Sequence, residues 1–356
     1  MIRYAVVGAG WIAQEAFLPA IAQSDSARVT AIVSGNADKA RKLAQFYNIE
    51  QAVDYDGFDA LVQSNLIDAV YISVPNPMHA DFAIRAAKAG KHVMVEKPIA
   101  TTLADAQAMI EAARQARVLL MTSYRLHHEA GTVAALEAIR QGCIGDPRYF
   151  SAAFSFQAQP GNHRLSERHW GGPLQDIGIY CINAARHVFA AEPIEAIAMA
   201  SRPADDPRFE EIDATLAVTL RFPGGRLAQF SCSFGAADLD MYRVVGSDGD
   251  LLMEPGFRFE TSTRLRLSTR EGSDTVTFQH TDHFGGQIAY FSDCILNGTP
   301  VEPDGEEGLA DLRALLAIEQ AVQTRQAQII SSPPRSTHPS AKTVRTVPRA
   351  SRRLLL

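Results

Sequence analysis

Over the first 125 residues, short β-branched runs alternate with segments of helical periodicity. RYAVVG reads as a strand and AQEAFLPAIAQS as the helix after it. RVTAIVS with NADKARKLAQFYN, DAVYISVP with MHADFAIRAAKAG, and HVMVEKP with TLADAQAMIEAARQA repeat the pair, and VLLMTSY is a last strand. Such alternation predicts a parallel sheet with helices on both faces. After Pro147 the texture changes to consecutive strand-like runs: RYFSAAFSF, IEAIAMAS, DATLAVTLRF, RLAQFSCSF, YRVVGS, DLLMEP, TRLRLST and DTVTFQH. Turns such as PGG and SDGD separate several of them, which predicts a large, open, mainly antiparallel sheet. Three helical segments accompany it: PLQDIGIYCINAARHVFA, FGGQIAYFSDCILNG and EEGLADLRALLAIEQAVQ. The expected class is α/β, with a parallel-sheet domain over residues 1–125, an α+β domain over 126–330 and a tail over 331–356. Helices covering one face of an open sheet leave the other for subunit pairing, so a homodimer or homotetramer is expected.

At 356 residues the chain is long enough for two cores. No apolar run approaches the roughly 18 residues of a membrane helix, and MIRYAVVGAG enters a strand without a secretory leader. Cys143, Cys181, Cys232 and Cys294 are widely spaced and form no metal or redox motif, as structural thiols of a reducing cytoplasm would be. The net charge of −6 is uneven. The tail SSPPRSTHPSAKTVRTVPRASRRLLL holds six Lys or Arg and no acid, so the remainder carries −12. A body that acidic argues against nucleic acid as a partner. The Pro-, Ser- and Arg-rich tail reads as extended or flexible.

The turn after the first strand reads GAGWIA, with Gly8, Gly10 and Ala13 in G-x-G-x-x-A spacing. Between a strand and a helix this is the context of a dinucleotide-binding Rossmann turn. Gly8 would allow the tight turn, Gly10 the approach of a diphosphate and Ala13 the packing of helix on strand. The N–H groups of the helix start, at Trp11 and Ile12, would face the anion. At the end of the second strand, where an NAD site usually has an acid for the ribose 2′-OH, VSGNADKARK places Ser34, with Lys39 shortly after. A hydroxyl and a cation suit a 2′-phosphate, so NADP is expected over NAD. A helix cap at Ser34 or Asn36 with a solvated basic face also explains the serine, but not the missing acid. VPNPMH, with Pro75, Asn76 and His79, and EKP, with Glu96 and Lys97, fall at strand ends where ligands of open α/β sheets bind. Arg125 follows the last strand of this domain beside His127 and His128. No third ligand at useful spacing accompanies that pair, so no metal site is expected.

LQDIGIY places the carboxylate of Asp176 four residues before the phenol of Tyr180. On a helix that spacing puts both on one face. A capped helix start with Tyr180 merely packed is the alternative. Arg168 and Trp170 in ERHWGG and His283 in TDHFGG are further candidates for a substrate pocket.

GAGWIA, EKP, GGPLQDIGIY and NGTPVEPDGEEGLADLRALLAIEQA, in that order, resemble the Gfo/Idh/MocA oxidoreductases, and within them the glucose–fructose oxidoreductase branch. The likeness covers about residues 2 to 330. It implies a nicotinamide cofactor and hydride transfer at a hydroxyl-bearing carbon, often on a sugar. It assigns Lys97 to the reacting hydroxyl, Asp176 to the acid of a D-x-x-x-H/Y motif, and Tyr180 to the place many members give to histidine. Ser34 and Lys39 match positions that contact a 2′-phosphate. Lys97, Asp176 and Tyr180 are then the catalytic set, with Tyr180 exchanging a proton with the substrate hydroxyl and Asp176 orienting sugar hydroxyls or Lys97. The expected function is an NADP-dependent oxidoreductase of a sugar, polyol or related cyclic alcohol. The alternatives are a sugar–sugar oxidoreductase with retained NADP, a reductase of an anhydro-ketose, and a non-enzymatic NADP-sensing regulator.

Overall fold

The computed structural model describes residues 1–350 and 352–356. The chain divides into two compact units. In the first, β1 (Ile2–Val7), β2 (Ala27–Val33), β3 (Gln51–Val53), β4 (Ala69–Ile72), β5 (His92–Glu96) and β6 (Leu120–Ser123) form one sheet in the order β3-β2-β1-β4-β5-β6. Every pairing in it is parallel. This is the doubly wound Rossmann order, in which the strand sequence reverses between β1 and β4. Tyr4 to Val7 and Ala69 to Ile72 are all buried, as central strands covered on both faces must be.

Five helices alternate with these strands: α1 (Leu18–Ile21), α2 (Ala37–Tyr47), α3 (Phe58–Gln63), α4 (His79–Lys88) and α5 (Leu103–Ala116). Local chemistry sets their ends. The Asn36 side chain accepts from the Lys39 amide to cap α2, and Thr102 does the same for α5 through the Asp105 amide. The helix expected right after the glycine turn starts at Trp11, widens into a π-helical turn over Ala13–Phe17 and continues as α1. Short β3 and α3 carry too few periodic residues to be read from the sequence.

The second unit is built on a nine-stranded sheet: β7 (Pro147–Ser155), β8 (Glu195–Ser201), β9 (Thr215–Arg221), β10 (Leu227–Ser233), β11 (Leu239–Gly246), β12 (Gly249–Met253), β13 (Thr263–Thr269), β14 (Gly272–Phe278) and β15 (Gln328–Ile329). Their order is β14-β13-β12-β11-β7-β10-β9-β8-β15. Among the described residues of this sheet only β7 and β10 pair parallel, so the mainly antiparallel reading holds. α6 (Ala130–Arg140) packs on β13 and β14, and α7 (Ile179–Phe189), with the turn before it, packs on β7 and β10. On the other face Tyr149, Ile197, Met199 and Leu227 are exposed, Met199 at 77%. They fall on one side because registered neighbours share the pleat.

The chain then returns to the first unit with α8 (His283–Asn297), and α9 (Gly305–Thr324) begins in the first unit and ends in the second. The units are Met1–Glu129 with Thr281–Leu309 and Thr343–Leu356, and Ala130–His280 with Ala310–Lys342. The expected boundary at 125 thus falls four residues later, and α8, expected in the second domain, packs on α1, β1 and β2 of the first. Sequence order misplaced it because its apolar stripe says that it is buried, not against which sheet. The described residues of the tail expected to be flexible make side-chain contacts with the body. Arg345 pairs with Asp293 at 2.9 Å, and the Arg352 guanidinium sits 4.5 Å from the Phe46 ring centroid. A local composition argument misses partners this distant in sequence. Among the described residues no helix is long and apolar enough to cross a membrane.

Candidate active site

The glycine turn has the backbone a dinucleotide needs. Gly8 has φ +102°, and a Cβ there would lie 2.7 Å from the carbonyl carbon and oxygen of Ser73. Only glycine allows both the conformation and the approach. Gly10 differs: a Cβ would meet only the Ser73 oxygen, at 3.8 Å, an ordinary contact. Among the described residues nothing demands glycine at Gly10, whereas a diphosphate lying against the turn would. Ala13 is fully buried, as helix-on-strand packing requires. Trp11 is 46% exposed beside the turn.

Ser34 is buried at the end of β2, and its hydroxyl accepts from the Asn36 amide at 3.2 Å. Asn36 caps α2 through the Lys39 amide at 3.0 Å. The cap and the missing acid are therefore both real: serine closes the turn, and no carboxylate ends β2 to repel a 2′-phosphate. These residues fit NADP.

Pro75 and Asn76 lie at the end of β4, with Asn76 opening a short helical turn. His79, expected to contact cofactor, is buried between two backbone carbonyls. It is 1% exposed, with Nδ1 2.9 Å from the Pro98 carbonyl and Nε2 2.9 Å from the Val74 carbonyl. Both ring nitrogens face backbone carbonyls, the neutral ring donating to one of them, and the ring sits between the loop after β4 and the Lys97–Pro98 turn. Burial pushes its pKa down to about 4 against those backbone bonds. Glu96 is also an internal group. It accepts from the Tyr71 hydroxyl at 2.7 Å, and burial raises its pKa while Lys97, Tyr71 and Arg125 oppose the rise. Lys97 follows it at the end of β5 and is half-buried.

Arg125 is buried after β6, with Nη1 3.2 Å from His283 Nδ1. Arginine only donates, so His283 Nδ1 is the acceptor and its proton sits on Nε2. His283, expected with the second domain, thus belongs to the first unit. His127 faces Glu302 at 3.3 Å, and the His128 imidazole, in contact with the Thr343 carbonyl at 3.0 Å, is driven by burial to a pKa of about 3.

Asp176 and Tyr180 lie in the second unit. The regular helix expected from Pro173 opens as a π-helical turn, Leu174–Gly178, in which the Ile179 amide reaches the Leu174 carbonyl. Single π-helical turns inside helices concentrate at functional sites. Asp176 sits within this turn and Tyr180 in the first turn of α7. Tyr180 is 8% exposed, near Phe154 and Phe257 with ring centroids at 6.2 and 6.4 Å. Gly178 lets the turn approach β10: a Cβ there would lie 3.0 Å from Cys232 Sγ.

The sequence reading missed Arg164, whose Nε is 3.0 Å from Asp176 Oδ2. Its loop is locked. Asn162 accepts from the Arg164 amide, Ser166 and the Glu167 amide both donate to Glu211, and a Cβ at Gly171 would lie 2.3 Å from the Arg164 carbonyl oxygen. Close loop packing is the reason for glycine at 171. The only sequence signal was a basic residue twelve positions upstream of the acid, too ordinary to single out. Trp170, proposed as a sugar platform, has its indole N–H on Glu319 at 2.9 Å, and Gln175 donates to the same oxygen at 2.6 Å. Arg168 is exposed and borders an open hollow with Ser166, Glu167 and Glu211.

Residues 2–124 match the profile of the oxidoreductase family with NAD-binding Rossmann fold, and residues 132–252 that of the GFO/IDH/MocA C-terminal domain. The chain is 30% identical over 331 residues to an NADP-dependent D-xylose 1-dehydrogenase of Haloarcula marismortui, covering 91% of each. The structure of an aldose–aldose oxidoreductase from Caulobacter crescentus, complexed with glycerol, superposes with a TM-score of 0.86 at 32% identity, over 92% of this chain and 99% of that one. A 3-ketoreductase from Actinomadura kijaniata, in complex with NADP and TDP-benzene, gives 0.82 at 28% identity, over 90% and 98%. A doubly wound sheet with a glycine turn, a large open sheet behind an Asp–Tyr helix, and full-length likeness to sugar oxidoreductases place this chain in the Gfo/Idh/MocA family of oxidoreductases.

Proposed function

We propose that the protein is an NADP-dependent oxidoreductase of an aldose or a related polyol. The observation that carries this reading is Tyr180 one turn after Asp176 on a π-widened helix start, with the carboxylate held by Arg164. When bound, the nicotinamide gives or takes hydride at the substrate carbon. In oxidation Tyr180 accepts the proton of the substrate hydroxyl, and in reduction it returns that proton. Asp176 accepts hydrogen bonds from neighbouring hydroxyls and fixes the ring. Lys97 donates to the reacting oxygen. Ser34 and Lys39 read the 2′-phosphate. The NADP dependence of the xylose dehydrogenase and the NADP complex of the ketoreductase support the choice of cofactor.

The test is turnover of glucose, xylose and other aldoses with NADP and with NAD, beside a Tyr180→Phe variant. We expect NADP-dependent oxidation and a loss of kcat of about 100-fold or more in the variant, the scale of a general acid/base. Unchanged turnover in Tyr180→Phe eliminates the phenol.

A second reading follows from the likeness to an aldose–aldose oxidoreductase. A protein that keeps its cofactor would show nicotinamide absorbance as purified, which one aldose reduces and another reoxidises.

We also infer a homodimer or homotetramer through the open sheet face, supported by the exposed Tyr149, Ile197, Met199 and Leu227. The four free thiols suit a cytoplasmic protein.

A further inference from the structure

The described residues of the arm Thr343–Leu356 run over the first unit along a defined track. Thr343 Oγ1 donates to the His127 carbonyl at 2.5 Å. The Asp282 amide donates to the Val347 carbonyl at 2.8 Å. Gly285 and Gly286 make room for the arm at the start of α8. A Cβ at Gly285 would lie 2.9 Å from Val347 Cγ1, and one at Gly286 2.7 Å from the Arg345 carbonyl oxygen. Arg352 donates to the Phe46 carbonyl at 3.0 Å at the end of α2, and Arg353 pairs with Glu15.

The arm then reaches the glycine turn through one side chain. The Leu356 amide donates to Gln14 Oε1 at 2.6 Å, and Gln14 Nε2 donates to the Ala9 carbonyl at 2.8 Å. Ala9 is the residue between Gly8 and Gly10. Gln14 is 2% exposed. A primary amide has one accepting and one donating end. With a backbone N–H fixed on Oε1, the NH₂ end must face the Ala9 carbonyl. The flipped amide would set oxygen against oxygen at Ala9 and N–H against N–H at Leu356. The arm therefore selects the one amide orientation that braces the turn. Arg353 acts on the neighbouring charge. Glu15 lies in the π-helical turn Ala13–Phe17, near the N-terminal end of the helix that would point at the diphosphate, where a bare carboxylate would compete with that anion. Arg353 neutralises it.

We propose that Gln14 is a positioning residue of the dinucleotide site and that the arm Thr343–Leu356 is its latch, so that tight binding of NADP depends on a segment more than 300 residues away in the chain. The proposal rests on the dinucleotide reading of the glycine turn and adds to it how that turn is held.

The test is titration of nucleotide-free protein with NADPH, followed by quenching of tryptophan fluorescence, with thermal unfolding measured in parallel. Four proteins are compared: the full chain, a chain truncated after Lys342, Gln14→Met, and Gln14→Met in the truncated chain. Truncation and Gln14→Met are each expected to raise the NADPH dissociation constant about tenfold, the worth of one or two buried hydrogen bonds. Combined, they are expected to do little more than either alone, because both break the same relay. A purely structural arm would lower the unfolding temperature without this non-additivity. Unchanged affinity on truncation, or additive losses, overturns the latch. Should the truncated chain not fold, Arg353→Gln and Gln14→Met in the full chain take its place, and unchanged affinity in both overturns the proposal. Failure of the full chain itself to bind NADPH overturns the dinucleotide reading instead.

Discussion

Arg164 Nε lies 3.0 Å from Asp176 Oδ2, with side-chain exposures of 24% and 18%. The pair joins a loop to the π-helical turn that opens α7, so the carboxylate is oriented from outside its own helix. Such a pair is sheltered enough to matter and open enough for a substrate to share.

Removing the guanidinium should therefore cost catalysis more than fold. Arg164→Ala is expected to lower kcat/KM for the sugar substrate by about 30- to 100-fold, the loss of one charge-assisted hydrogen bond of about 2–3 kcal/mol. Arg164→Lys should recover part of it. Steady-state kinetics beside thermal unfolding check this, and equal losses for lysine and alanine would show that the fork geometry, not the charge, is what Asp176 needs.

Ser34 ends β2 where a carboxylate would serve NAD. Ser34→Asp should weaken NADP binding by about tenfold or more through repulsion of the 2′-phosphate, while NAD is held as well or better. Dissociation constants for the two nucleotides measure it directly. Loss of both would mean that the Ser34–Asn36 turn was damaged.

His79 and His128 are buried with pKa values of about 4 and about 3, below the 6.5 of a free imidazole. Between those values and 6.5 the native state binds fewer protons than the unfolded one, so unfolding free energy rises with pH there. Stability is full above about 6.5 and is lost as pH drops toward 4, by about 1.4 kcal/mol per pH unit for each imidazole. Unfolding measured from pH 7.5 to 4.5 should show this slope, and His79→Gln should flatten it. An unchanged slope in the variant would show that other groups set the acid limb.

Met199 is 77% exposed and Ile197 50% exposed on the uncovered face of the large sheet. Met199→Glu should split the proposed homo-oligomer, because it would place a charge in the apolar contact. Sedimentation velocity reads the outcome. A wild-type chain that sediments as a monomer would leave this face without a partner copy.

Periodicity determined most of the architecture. Period-two runs alternating with helical ones are a local consequence of a sheet covered on both faces, and the change of texture after Pro147 follows from hairpin-paired strands. The glycine turn, Ser34, Lys97 and the Asp176–Tyr180 spacing were legible because each chemistry needs fixed residue types within a few positions of one another. Tertiary structure decided what links distant residues. That α8 packs on the first sheet, that Arg164 holds Asp176, that His79 is spent on backbone carbonyls and that the basic arm reaches Gln14 all depend on partners separated by 5 to 342 residues. Apolar stripes and charges state that a group must be buried or paired, but the identity of the partner is fixed only when packing brings two surfaces together.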